Sequence, residues 1–221
     1  VKRIPEFLIQ RYTKQLKGIS SAAKRAVAIA LSQIEYESIY DLRMQILKIL
    51  GPIYAASYEM SSAAAARFYD EVLEYLTDSS FAARTLTWNE EAFEKSVRAF
   101  LSKVIDGDLT RLLSLLQDRV DYESKQAAGE TIKYNAGIDS RHVGWARVPT
   151  GSETCSFCIM LASRGAVYKS EKTAGGHGHY HSHCDCRIVP VLEGVEIEGY
   201  DPDYYYRLYR KNINKSDDLS A

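Results

Sequence analysis

Apolar residues return every three or four positions through the first part of the chain. Ile4, Leu8, Tyr12, Leu16, Ile19, Ala23, Ala26, Ala30 and Ile34 fall on one face of a helix. Pro5 sits in its first turn, where a missing N–H does little harm. The opposite face carries Lys2, Arg3, Arg11, Lys14, Lys17, Lys24 and Arg25 against Glu6. It is locally basic, either a solvated helix surface or one that docks on an acidic partner or on DNA phosphates. A second helical pattern runs through YDLRMQILKIL, breaks or kinks at Gly51-Pro52, and resumes in IYAASYEMSSAAAARFYDEVLEYL. After a loop around 77–87, WNEEAFEKSVRAFLSKVI predicts a third helix capped by Asn89 and closed by Gly107. A fourth begins at Asp108 and sets Leu109, Leu112, Leu113, Leu116 and Val120 at helical spacing.

The pattern changes near Gly137. Helical periodicity fades, Gly, Pro, His and Cys appear, and 166–170 and 187–192 look like strands. The expected fold is therefore mainly α: an extended helical domain or bundle over 1–140, then a small zinc-stapled α+β domain over 141–199. A tyrosine-rich tail follows over 200–221, where Tyr200, Tyr204, Tyr205, Tyr206 and Tyr209 suggest a short helix and a loose end. Those tyrosines can pack on their own protein or on a partner.

Charge narrows the function classes. The chain has 28 basic and 29 acidic residues, so it is not built as a whole to coat nucleic acid or an anionic membrane. No stretch approaches the roughly 18–20 apolar residues of a membrane span, and the start lacks the apolar run of a signal peptide. A reducing cytosol is the expected folding compartment, where clustered cysteines bind metal or do chemistry more often than they form disulfides.

All four cysteines and four of the five histidines lie between Thr154 and Cys186. Cys155 and Cys158 form a C-x-x-C pair, a spacing that aims two thiolates from one turn at a tetrahedral ion. His181, His183, Cys184 and Cys186 follow as a second cluster, and the pairing points to Zn2+. Two ligand sets stay open: Cys155, Cys158, Cys184 and Cys186, or a three-cysteine set completed by His181. His177 and His179, set among glycines, are read as exposed or supporting residues. Zinc catalysis needs an open position and a base. The deaminase H-x-E and P-C-x-x-C signature and the H-E-x-x-H of zincins are both missing. A structural staple fits better, because 147–192 is too short and glycine-rich to hold a core alone. Arg147, Arg164, Lys169, Lys172 and Arg187 outnumber Glu153, Glu171 and Asp185 too slightly to argue for nucleic-acid binding.

GWARVPTGSETCSFCIMLASRGAVY, followed by HYHSHCDCRIVPV, resembles the C-terminal domain of tailed-bacteriophage minor head proteins of the Mu F-like type, in the actinobacteriophage version. T-C-x-x-C, the Gly165–Tyr168 strand, and H-x-x-C-x-C through His181, Cys184 and Cys186 to Pro190 carry the resemblance. HSHCDC departs from the commoner form, which has a proline after the histidine and an arginine between the cysteines. The resemblance implies a virion protein, inside the head or at the portal vertex, and the missing catalytic signatures favour a structural role over an enzymatic one. It implies head assembly in the host cytoplasm, with the portal protein, the major capsid protein or packaged DNA as partners and no membrane or small-molecule substrate. It also brings the rival label of capsid maturation protease, for which Asp139, Ser140 and His142 supply residue types but no established triad.

Overall fold

The computed structural model of the protein describes residues 1–103, 109–151, 154–165 and 185–217. It is mainly helical, with six helices and four short strands among the described residues. Helix α1 (Glu6–Ser32) follows strand β1 (Arg3–Ile4), and Pro5 is its capping residue rather than part of its first turn. Helix α2 (Ile39–Thr77) begins at Ser38, whose hydroxyl accepts the Asp41 N–H at 3.1 Å. It runs unbroken through Gly51-Pro52, against the expected break. Pro52 is exposed, so solvent can satisfy the carbonyl freed one turn back. On either side of it, buried Leu42, Ile46, Leu50 and Tyr54 hold the same face to the core.

Side-chain links show the helix directions. Along α2, Tyr54 donates to the Leu116 carbonyl at 2.5 Å, and Ser57 and Ser124 hydrogen-bond at 2.7 Å. Further on, Ser62 meets Thr131 at 2.8 Å and Tyr69 donates to Asp139 at 2.9 Å. Numbers rise together, so α2 runs parallel to helix α4 (Leu109–Ile138). Ser20 donating to Asp121 at 2.6 Å and Gln117 donating to the Lys24 carbonyl at 3.1 Å make α1 antiparallel to α4.

Parallel neighbours cannot be joined by a short turn. The chain returns instead through an irregular strap, residues 78–89. At about 3.3 Å per extended residue it reaches roughly 36 Å, close to the ~39 Å from Thr77 back to Gly51 along α2. A Cβ built on Gly51 would stand 3.9 Å from the Trp88 ring. The strap's polar groups need partners where it lies on the helices. The Asp70 carboxylate accepts the Phe81 and Ala83 N–H groups at 3.0 and 2.9 Å. Buried Asn135 accepts the Arg84 N–H at 2.7 Å and donates to the Arg84 carbonyl at 2.8 Å. Ser62 accepts the Leu86 N–H at 2.7 Å, and Glu123 accepts the Trp88 indole N–H at 2.8 Å.

Helix α3 (Glu90–Leu101) then starts at Asn89, whose side chain accepts the Ala92 N–H at 3.3 Å. It ends at Leu101 with Ser102 as its C-cap, earlier than the expected stop at Gly107, which itself lies outside the described residues. Phe93, Val97 and Leu101 of α3 are buried in one cluster with Leu42, Ile46 and Leu50 of α2 and with Leu112 and Leu116 of α4, each burial contributing roughly 1.5–3 kcal/mol.

The other end of the bundle carries the strands. Strand β2 (Gly144–Pro149) pairs antiparallel with β3 (Cys186–Val191), setting Arg147 opposite Ile188 and Pro149 opposite Cys186. Helix α5 (Ser156–Ala162) lies between them in sequence, and helix α6 (Pro202–Asp217) packs on α5. Strand β4 (Glu196–Ile197) pairs parallel with β1. One buried cluster joins Tyr12, Phe68 and Ile132 of the helices to Trp145, Leu161, Ile188 and Ile197. The strand expected over 166–170 lies outside the described residues, whereas β3 covers most of the one expected over 187–192.

Candidate metal centre

Cys155 caps α5 and Cys158 sits in its first turn, where its N–H donates to the Cys155 sulfur at 3.3 Å. Cys186 opens β3, and its Sγ lies 3.3 Å from that of Cys158. Cys158 and Cys186 are 0% and 1% exposed, sealed from solvent. Sulfurs sharing one zinc stand roughly 3.8 Å apart, from bonds of about 2.3 Å at the tetrahedral angle, so a small opening of this pair would fit an ion. Arg147, 4% exposed on β2, donates from Nη1 to the Cys186 sulfur at 3.2 Å. Its positive charge would offset that of a thiolate ligand at this position. Sequence reading missed this role; the signal was an arginine inside a short apolar strand.

Asp185 clips the turn between β2 and α5 to β3. Its Oδ2 accepts the Gly151 N–H and the Thr154 hydroxyl, each at 3.1 Å, and its carbonyl accepts from the Thr150 hydroxyl at 2.5 Å. A Cβ at Gly151 would come within 2.8 Å of Asp185 Oδ2, so only glycine fits this approach. The turn thereby carries Cys155 and Cys158 toward Cys186. Among the described residues no group of three or more His, Cys, Asp or Glu is placed to hold a metal ion. His181 and Cys184, with His177, His179 and His183, lie outside the described residues.

Asp139, Ser140 and His142 occupy a different corner. The buried Asp139 carboxylate accepts from Arg141 Nη2 at 2.6 Å and Nε at 2.9 Å, from the Arg141 N–H at 3.0 Å, and from the Tyr69 hydroxyl at 2.9 Å. Burial raises the carboxyl pKa, and the bonds from Arg141 and Tyr69 outweigh it, leaving the group below its ordinary value. Arg141 also donates to Thr77 Oγ1 at 3.2 Å and the Ser79 carbonyl at 3.1 Å, and lies 5.6 Å over the Phe81 ring. His142 gives its backbone N–H to the Asp139 carbonyl at 3.2 Å, while its side chain and Ser140 face solvent. This is a structural lock on α2, α4 and the strap.

The VG15 protein family model matches residues 4–212, taking in helices and strands alike. The chain belongs to the VG15 protein family. Gene 15 protein of Mycobacterium phage L5 is 32% identical over 115 aligned positions, which take in 35% of this chain and 39% of that protein. Gene 15 protein of Mycobacterium phage D29 is 35% identical over 78 positions, covering 23% of this chain and 28% of that protein. The chain thus spans well under half the length of either relative. No solved structure matches. These likenesses make the VG15 chain a bacteriophage protein.

The surfaces of this VG15 chain are mixed. On the basic arm, Lys2 Nζ donates to the Leu76 carbonyl at 2.7 Å, Arg3 pairs with Glu196 at 2.8 Å and Arg11 pairs with Glu71 at 2.6 Å. Lys14, Lys17 and Arg25 are exposed. In the tail, the Tyr200 hydroxyl donates to the Ala162 carbonyl and its ring lies 5.9 Å from that of Tyr205, while Tyr204 and Tyr206 are exposed. No helix among the described residues is long and apolar enough to cross a membrane.

Proposed function

We propose that this is a structural minor head protein of a tailed bacteriophage, of the Mu F-like type, acting in procapsid assembly at or near the portal. The match of the VG15 family along residues 4–212, with gene 15 proteins of two mycobacteriophages as relatives, carries the reading. The helical part, 1–140, docks on portal or capsid protein, and 141–199 is held by one zinc ion. Cys155, Cys158 and Cys186 supply three thiolates, and His181 or Cys184 completes the site. Exposed Lys14, Lys17 and Arg25 on α1, with Tyr204 and Tyr206 on α6, offer charged and aromatic contact surfaces. Its work is contact rather than catalysis. The protease reading would need the Asp139 carboxylate to orient a histidine, and that carboxylate is held by Arg141 and Tyr69.

Infection with a phage whose gene for this protein carries an early stop tests the role. The expected result is defective heads, and normal procapsids from the parent phage that contain the protein in low, portal-like copy by quantitative mass spectrometry. Normal heads without the protein, and its absence from parental procapsids, would overturn the proposal.

A further inference from the structure

A cleft of about 350 Å3 opens between α1, α4 and the start of β3, its lining including Lys17, Lys24, Lys125, Arg187, Asp121 and Asp185. Asp121 is committed inside the protein, to Lys125 at 2.6 Å, Lys24 at 4.0 Å and the Ser20 hydroxyl at 2.6 Å. Arg187 stands differently. It is 5% exposed, its Nη1 donates to the Cys186 carbonyl at 3.1 Å, and its Nε has no hydrogen-bond partner. None of the ion pairs formed among the described residues includes it. A buried guanidinium without an anion is costly, and an anion in the cleft removes that cost.

The ligand's chemistry follows from the lining. Four cations against two carboxylates leave two positive charges, which suits a doubly charged oxyanion better than a carboxylate. The same lining holds one buried acceptor without a hydrogen-bond partner, Asp185 Oδ1. A phosphate that keeps a proton has an O–H to give that oxygen, whereas sulfate and the diesters of DNA have none.

We propose that this cleft binds hydrogen phosphate, with Arg187 at its base and Lys17 and Lys24 at its mouth. Isothermal titration calorimetry of the full chain with sodium phosphate, against sodium chloride of equal ionic strength, tests it. Saturable one-to-one binding is expected, weakened at least tenfold by Arg187→Gln and several-fold by Lys17→Gln with Lys24→Gln. Lys95→Gln, a 73% exposed lysine on α3, should change nothing. The lysine pair keeps the test open should Arg187→Gln fail to fold. Sulfate should bind several-fold more weakly, and a short DNA duplex should not displace phosphate. No saturable heat, equal binding of sulfate, displacement by DNA, or an unaltered affinity in the lysine variant would each overturn the proposal.

Discussion

Replacing Asp139 by alanine should unlock the junction of α2, α4 and the strap. The carboxylate is 1% exposed and Arg141 24%, so the guanidinium left behind is partly desolvated. Removing one partner of a fully buried pair costs about 3–5 kcal/mol, and partial exposure puts this one near the lower end. The Tyr69 hydroxyl also loses its acceptor, worth about 1 kcal/mol. Together these give a loss of roughly 3–4 kcal/mol, read from urea unfolding followed by circular dichroism. Asp139→Asn keeps the shape and an acceptor for Tyr69 but loses the charge, and should cost about half as much. The sign with pH follows from the lowered carboxyl pKa. The Asp139 contribution is fully present above the unfolded value of about 3.9 and is lost as pH falls through the lower folded pKa. The gap between native protein and Asp139→Asn should therefore be constant near neutrality and shrink below about pH 4. A cost under about 1 kcal/mol for alanine, or a gap that persists in acid, would refute the lock.

Three further outcomes are expected. Phe93→Ala removes a ring that is 0% exposed and lies 4.2 Å from Tyr54 and 5.6 Å from Trp88, and should cost about 3–5 kcal/mol in the same assay. Asn135→Ala strips the strap of its two bonds at Arg84, and should cost about 2–3 kcal/mol while raising hydrogen exchange at the strap amides before the rest of the bundle. If zinc is bound, elemental analysis should find about one ion per chain, and Cys158→Ser or Cys186→Ser should lose it. The β2–β3 region of those variants should then open while far-UV ellipticity from the long helices is largely kept; retention of zinc by both would sink the site.

Helix periodicity made much of the bundle legible. Apolar residues at steps of three and four marked α1, α3 and α4, and Asn89 marked the start of α3 because a cap is a local signal. Pro52 misled, since proline's local cost does not report how strongly Leu50 and Tyr54 hold the flanking turns to the core. The strap was read as a loop near 77–87, but its anchors, Asp70, Asn135, Ser62 and Glu123, are scattered along two helices with no sequence signature linking them. The approach of Cys158 to Cys186 was foreshadowed by soft ligands crowded in one segment. Arg147 and Arg187 were counted as surface charge, because composition cannot tell an exposed arginine from a buried one facing sulfur or a cleft.

The strap also bears on the order of folding. An up-and-down bundle can zip from one hairpin to the next, each contact bringing the next pair within reach. Here α2 and α4 run side by side in the same direction, so they cannot dock until the strap has been laid down and α3 turned inward. Their shared bonds, from Tyr54–Leu116 to Tyr69–Asp139, span 62 to 70 residues of sequence. Loops of that size close at an entropic cost that local contacts cannot offset early, so folding should be slower than that of a simple bundle of equal stability. On a ribosome the α1–α2 hairpin would emerge before α4, with its face for α4 still bare.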